Sequence, residues 1–189
     1  MTDKKPTPKH SATLTQKIGN PLPFGESHDL GALPPVHDFD FRIDRQGEWY
    51  YRGSLIKRKA LVKLFSTILK RDDHGVYWLQ TPVEKAKVHV EDAPFTAVEF
   101  FVREEDGRQV AGFRTNLDHH VELGPDHPLR LGSGPRDGEP RPYVLIRPRL
   151  EALVTRPAYY QMANAAIEER FEGRQTFGIR SQGMFFPLD

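Results

Sequence analysis

Two separated stretches of this chain repeat one order of patterns, and a repeat constrains a fold more tightly than any single motif, because it sets the supersecondary unit from which the whole is built. With Ile43 set against Ile146, Glu48 falls on Glu151, Ala60 on Ala163, and the starts of two expected helices coincide. Each copy closes on a glycine-led aromatic run, residues 75–78 in the first and 183–186 in the second, where the run arrives after extra residues. The expectation is an α+β fold of duplicated strand-strand-helix-strand units with antiparallel sheets.

Within the first copy, Phe39, Phe41 and Ile43 alternate with Asp40, Arg42 and Asp44, the period of two that marks a half-buried strand. Gln46 and Gly47 supply a turn into an aromatic-rich strand over residues 48–52. Ser54, just after Gly53, is placed to cap a helix running to about Lys70. Leu61, Val62, Phe65, Ile68 and Leu69 share one face of that helix, leaving Lys59, Lys63 and Lys70 on a solvated one. A strand over residues 76–80 completes the unit. Further on, strands are expected over 97–102 and 109–115, joined by a hairpin at Asp106 and Gly107, then over 119–123 and 128–131. A loop rich in Gly and Pro over 132–142 leads to paired strands at 143–147 and 150–155. A helix follows from about Pro157, with Tyr159, Met162, Ala163, Ala166 and Ile167 on its buried face. The domain reading is a tail over 1–10, an N-terminal α+β domain over 11–84 and a C-terminal α+β domain over 85–189. The first domain opens with a short helix capped by Ser11 and an arm ending at Pro34 and Pro35.

Charge and cysteine content remove several classes of function. Twenty-seven Lys and Arg stand against 26 Asp and Glu, so no overall basic excess calls for nucleic acid. The absence of cysteine excludes disulfides, thiolate nucleophiles and cysteine-held zinc, which fits a reducing, cytoplasmic setting. The first ten residues lack the apolar core of a signal peptide, and no apolar run approaches the roughly 20 residues that span a bilayer, so no integral membrane segment is expected.

Local clusters carry the remaining chemistry. Lys57, Arg58 and Lys59 sit at the expected start of the first long helix, where the macrodipole disfavours each cation by about 0.3–1 kcal/mol and something must compensate. Arg58 falls within the apolar arc, and an arginine at a helix start is a sound anion site, with snorkelling to solvent or pairing to a local carboxylate as the alternative. Asp118, His119, His120 and His127 are metal-ligand types, but neighbours on a strand face opposite ways, so they read as structural and no metal is expected. Glu84, Glu91 and Asp92 come without a nucleophile or a recognisable base, so neither catalysis nor a cofactor is indicated. In the run Trp49, Tyr50, Tyr51 and Arg52, alternation sends half of any stacking platform into the core.

A set of segments stands out: Pro34 to His37, Gly47 to Gly53 with Ile56 and Arg58, Thr81 to Lys85, Val90 to Phe95, Thr115 to Asp118, His127 to Arg130, Pro142 to Val144, and Arg147 to Leu153 with Tyr159 and Tyr160. Together they resemble the bacterial family known as domain of unknown function 1285. The resemblance implies a duplicated core, a C-terminal half similar to a pleckstrin-homology (PH-like) partly closed barrel with a helix, and a cleft between the halves that takes a nucleotide-like ligand in a signalling role. Pro148 beside Arg147 departs from the more flexible turn expected there. The functional expectation is a non-enzymatic module binding a small anionic, nucleotide-like ligand through Arg58, Thr81, Lys85, Asn116 and Arg147, with a signalling protein as further partner. The alternatives are an adaptor using the PH-like surface and an enzyme acting on a phosphorylated metabolite.

Overall fold

The structure, a computed structural model, describes residues 36–134 and 138–188. The expected tail, the helix from Ser11 and the arm to Pro35 lie outside them. The described residues are mostly β, with fifteen strands and two helices. The first half runs β1 (Val36–Ile43), β2 (Trp49–Tyr51), β3 (Ser54–Leu55), α1 (Lys59–Thr67), β4 (Leu69–Arg71), β5 (Tyr77–Gln80) and β6 (Lys85–Val90). Its strands form one sheet in the order β3-β2-β1-β6-β5-β4.

Alternation does its expected work in β1, where Phe41 and Ile43 are buried while Arg42 stays half-exposed and pairs with Glu91. The helix differs from expectation at both ends. Ser54 pairs across to Tyr51 instead of capping, because Arg52 and Gly53 both take positive φ (48° and 73°) and close a two-residue hairpin between β2 and β3. Arg58 is therefore the N-cap of α1, in extended conformation and without a side-chain cap bond. At the far end the Ser66 and Thr67 hydroxyls donate to the carbonyls of Lys63 and Leu64, competing with helical continuation, and Leu69–Arg71 leaves as a strand. Val62 and Phe65 are the large buried side chains of α1, and Phe65 lies against Trp49 and Phe41.

The second half comprises β7 (Phe95–Glu105), β8 (Arg108–Thr115), β9 (His120–Glu122), β10 (Leu129–Ser133), β11 (Pro140–Arg147), β12 (Leu150–Val154), α2 (Arg156–Asn164), β13 (Ile167–Phe171), β14 (Arg174–Ser181) and β15 (Met184–Pro187). One sheet has the order β10-β11-β12-β7-β8-β9 and a three-stranded one the order β13-β14-β15. Asp106 and Gly107 turn the β7–β8 hairpin with φ of 51° and 73°, as expected for such a pair. The smaller sheet adjoins β8, where the Ser181 hydroxyl both accepts from Ala111 N and donates to Ala111 O.

Three expectations need correction. Each six-stranded sheet contains one parallel pair, β1 with β6 and β12 with β7, so these sheets are mixed; the connections are long enough to carry the chain across rather than straight back. The expected boundary after Glu84 puts β6 in the second domain, yet β6 is hydrogen-bonded between β1 and β5, and the seam falls after it. The buried face of α2 is Ala158 and Met162, while Ala163 is exposed and Ile167 already belongs to β13. Both repeated passages run hairpin, nine-residue helix, hairpin. Their topology differs: β4 and β5 share one sheet with β1 and β2, whereas β13 and β14 lie in a sheet apart from β11 and β12, so the passages set against each other at Ile43 and Ile146 are not one repeated sheet unit.

A single buried cluster runs from Phe41, Trp49 and Phe65 through Phe95 and Phe113 to Met162 and Ile179, so the halves share one core. Phe65 is 4% exposed and links α1 to that cluster. Phe65→Ala is expected to lower the unfolding free energy by about 3–5 kcal/mol, read by urea denaturation. A loss below about 1 kcal/mol would show that α1 is not held by this contact.

Candidate functional site

The seam between the halves is organised by the turn that joins β1 to β2. Asp44 shapes it, its Oδ1 accepting from the backbone of Gln46 and Glu48 at 2.9 Å each. Asn116, in the turn after β8, then grips it: Nδ2 donates to the Gly47 carbonyl at 3.1 Å, and Oδ1 accepts from Thr96 N at 3.2 Å. Gly47 has φ +77°, and a Cβ there would lie 2.7 Å from Asn116 Nδ2, so the contact requires glycine twice over.

On one side of this grip lies a cleft of about 810 Å³. Its walls come from both halves, with Arg45, Gln46 and Glu48 facing a surface that includes Thr96, Asn116, Arg141, Arg156 and Tyr159. Arg45 is half-buried and its Nε–H is buried without a hydrogen-bond partner. Arg156 is the exposed first residue of α2, whose N-cap Thr155 turns its hydroxyl to the Ala97 carbonyl rather than to the helix amides. Arg141 is committed to Asp92 at 3.2 Å. The second oxygen of Asp92 accepts from the Tyr143 hydroxyl at 2.8 Å; burial and that bond push the phenol up to about 12. On the other side of the grip, a pocket of about 480 Å³ at the start of α1 is lined by Trp49, Lys57 and Lys59 and shares Glu48 and Asn116 with the cleft.

Of the five residues expected to hold a ligand, the structure brings only Asn116 to this cleft. Arg58 is exposed rather than turned into the body. The Thr81 hydroxyl accepts from the amides of Val83 and Glu84 and shapes the β5–β6 turn. Lys85 places its ammonium 3.9 Å above the Trp78 ring. Arg147 donates to the Ser66 carbonyl at the end of α1 and lines a different pocket, with Lys70, Arg71 and Arg149. The residues missed are Arg45, Thr96 and Arg156. Arg156 was open to the same rule that singled out Arg58, since it immediately precedes the proline that opens a helix. Arg45 gave no such signal, because an arginine in a turn declares nothing about its burial.

Of the three cations at the start of α1, Lys59 finds its compensation within the protein itself. Asp118 accepts from Lys59 at 2.9 Å, pairs with Lys63 at 2.7 Å and lies 3.5 Å from Arg114. The lysine stripe is thus a bond between the halves as well as a solvated face. Hydrogen bonds from Lys63 and Lys59 hold the Asp118 carboxyl down at about 2. The nearby histidines diverge. His119 packs edge-on against Phe95, and burial, with Arg147 and Lys63 nearby, pushes its pKa down. The His127 ring bonds the Leu145 carbonyl, and His120 lies beside Phe101. Among the described residues no group of three His, Asp or Glu is arranged to hold a metal, and no helix is long and apolar enough to cross a membrane.

Two family models match in tandem: "Domain of unknown function (DUF1285), N-terminal domain" over residues 33–93 and "Protein of unknown function (DUF1285), C-terminal domain" over residues 94–188. Their junction coincides with the seam after β6. The crystal structure of a DUF1285 family protein from Silicibacter pomeroyi DSS-3 is 42% identical, with a TM-score of 0.72, covering 82% of this chain and 83% of that one. A second, from Shewanella baltica OS155, is 30% identical, with a TM-score of 0.53, covering 66% of this chain and 90% of that one. No curated protein matches the chain.

The depressed acidity of Asp118 makes stability depend on pH in a defined window. A carboxyl whose folded pKa lies below its unfolded value, about 3.9, contributes stability that is complete above that value and is lost as pH falls through about 2. Asp118→Asn, which tolerates the same positive φ of 63°, is expected to flatten the fall in urea midpoint between about pH 4 and pH 2. A mutant curve parallel to wild type over that window would show that the lysines do not engage Asp118 in solution.

Proposed function

The chain belongs to the DUF1285 family, and from its geometry we propose that it is a non-enzymatic module that binds a small anionic, nucleotide-like ligand in the cleft between its halves and serves signalling in the cytoplasm. The observation that carries this reading is Arg45, a half-buried guanidinium with an unpartnered Nε–H on the wall of the cleft. Holding a guanidinium half-buried with one donor unanswered is costly, and a negative charge in the cleft offsets that cost. Arg156 at the opening of α2 adds a second cation where the helix amides also favour negative charge. Asn116 and Thr96 contribute neutral polar groups, and Tyr159 a half-buried ring suited to a flat base. The volume lies within the range of small-molecule sites.

Binding without turnover is supported by the state of the lining groups. The Thr155 hydroxyl donates to Ala97 O and that of Thr96 points to Gln46 O, so neither is paired with a base, and among the described residues no histidine lines the cleft. The architectural part of the proposal is that the halves descend from one duplicated unit and that the second is PH-like. The two six-stranded sheets support the first, since β4-β5-β6-β1-β2-β3 and β10-β11-β12-β7-β8-β9 run in the same order with the parallel pair at the same place; the packing of α2 across β7, at the middle of a curving sheet, supports the second.

Thermal-shift screening with AMP, GMP, ATP and sugar phosphates is expected to find a ligand that raises the melting temperature. Calorimetric titration of that ligand should then show Arg45→Gln weakening binding about tenfold to a hundredfold, with Arg58→Ala unchanged. The reading fails if no such ligand stabilises the protein, or if affinity is indifferent to Arg45.

A further inference from the structure

At the opposite end of α1 from the start-of-helix pocket, where Thr67 hands over to β4, a pocket of about 430 Å³ opens between the halves. Its lining includes Lys70 and Arg71 from β4, and Arg147 and Arg149 from the β11–β12 turn, with no carboxylate among the lining residues. Elsewhere several arginines come with carboxylates: Arg130 with Glu151, Arg180 with Glu169, Arg141 with Asp92 and Arg42 with Glu91. In this pocket only Arg149 has such a partner, Asp73, which lies outside the lining.

The partners of its four cations account for little of their charge. Arg149 reaches Asp73, which is largely exposed. Arg71 lies over the Tyr77 ring and makes a long bond to the Gly75 carbonyl. Arg147 is the least satisfied: one guanidinium nitrogen donates to Ser66 O, while Nε is buried with no acceptor. Burial alone shifts its pKa, downward, with no carboxylate acting against it. Bringing like charges together in a partly desolvated place is unfavourable unless an anion joins them, and a guanidinium fork is suited to two oxygens of one tetrahedral group.

We propose that this pocket is a phosphate site, taking a phosphoryl group as the free ion or as a small phosphomonoester, held by Lys70, Arg147 and Arg149 and distinct from the Arg45 cleft. Lys70 supplies an exposed point charge at the mouth. Arg149 is presented by a backbone turn at φ 64°, beside Pro148. The stiff Pro148 turn keeps the two arginines at one mouth.

The test is calorimetric titration with sodium phosphate in buffers brought to equal ionic strength with sodium chloride. Wild type is expected to bind saturably. Lys70→Gln and Arg149→Gln, both at exposed positions, should each weaken binding about tenfold, while Arg45→Gln leaves it unchanged. Competition by glycerol 3-phosphate would support a phosphomonoester guest, and its failure to compete would support the free ion. The inference is overturned if phosphate shows no saturable binding, if Lys70→Gln and Arg149→Gln bind as wild type, or if Arg45→Gln removes binding, which would place the ion in the cleft.

Discussion

One amide side chain joins the two halves of this protein at the place where their arrangement matters most. Asn116 uses its nitrogen on the Gly47 carbonyl and its oxygen on Thr96 N, and its own backbone N–H goes to Thr96 O at 2.9 Å. Each such bond contributes only about 0.5–1.5 kcal/mol net, but together they fix register, which the apolar contacts of a shared core do not. The turn seized by the first of these bonds carries Arg45 on one side and Glu48 on the other, while the two bonds to Thr96 fix Asn116 on β7, so the bond across the seam sets the wall of the cleft. Asn116 is therefore a positioning residue even where it also meets a ligand.

Charge is then distributed around that seam unevenly. The chain is almost neutral, with 27 cationic Lys and Arg against 26 carboxylates, yet neutrality overall does not imply pairing locally. Asp118 draws Lys59, Lys63 and Arg114 to itself, and buried Asp92 takes both Arg141 and Tyr143. Carboxylates that gather several donors leave other donors without one. Arg45 and Arg147, each with a buried Nε lacking an acceptor, are among these, and both lie where the halves meet. Residual positive charge at a seam is the electrostatic basis on which both anion proposals stand.

How far the sequence revealed this can be judged element by element. The alternation at Phe41 and Ile43, the hairpin at Asp106 and Gly107 and the two helices were legible because each rests on local geometry: a period, a pair of positive φ angles, an apolar stripe. Arg52 and Gly53 carry the same hairpin signal, but Ser54 offers a competing local reading as a cap, and only its pairing with Tyr51 decides between them. The strands β13 and β14 escaped notice for a different reason. Glu168, Glu169 and Arg170 interrupt any apolar alternation in β13, whose side chains are largely outside the core, and burial is what writes a period into a sequence. The β1–β6 pairing is longer in range still, since nothing local records which edge a returning strand will join.

The candidate site illustrates the same division between local and tertiary information. The rule that an arginine at a helix start attracts anions is local, and it applied equally to Arg58 before α1 and Arg156 at the start of α2. What separates them is the surroundings. Arg58 stands exposed where Lys59 and Lys63 of its own helix already have Asp118, so the positive end of α1 meets a carboxylate from the other half. The start of α2 instead opens on a cleft whose facing wall adds another arginine, Arg45. A helix terminus becomes useful for binding only when tertiary structure leaves its charge unanswered, and that depends on where Asp118 falls, a residue far from either helix start in sequence.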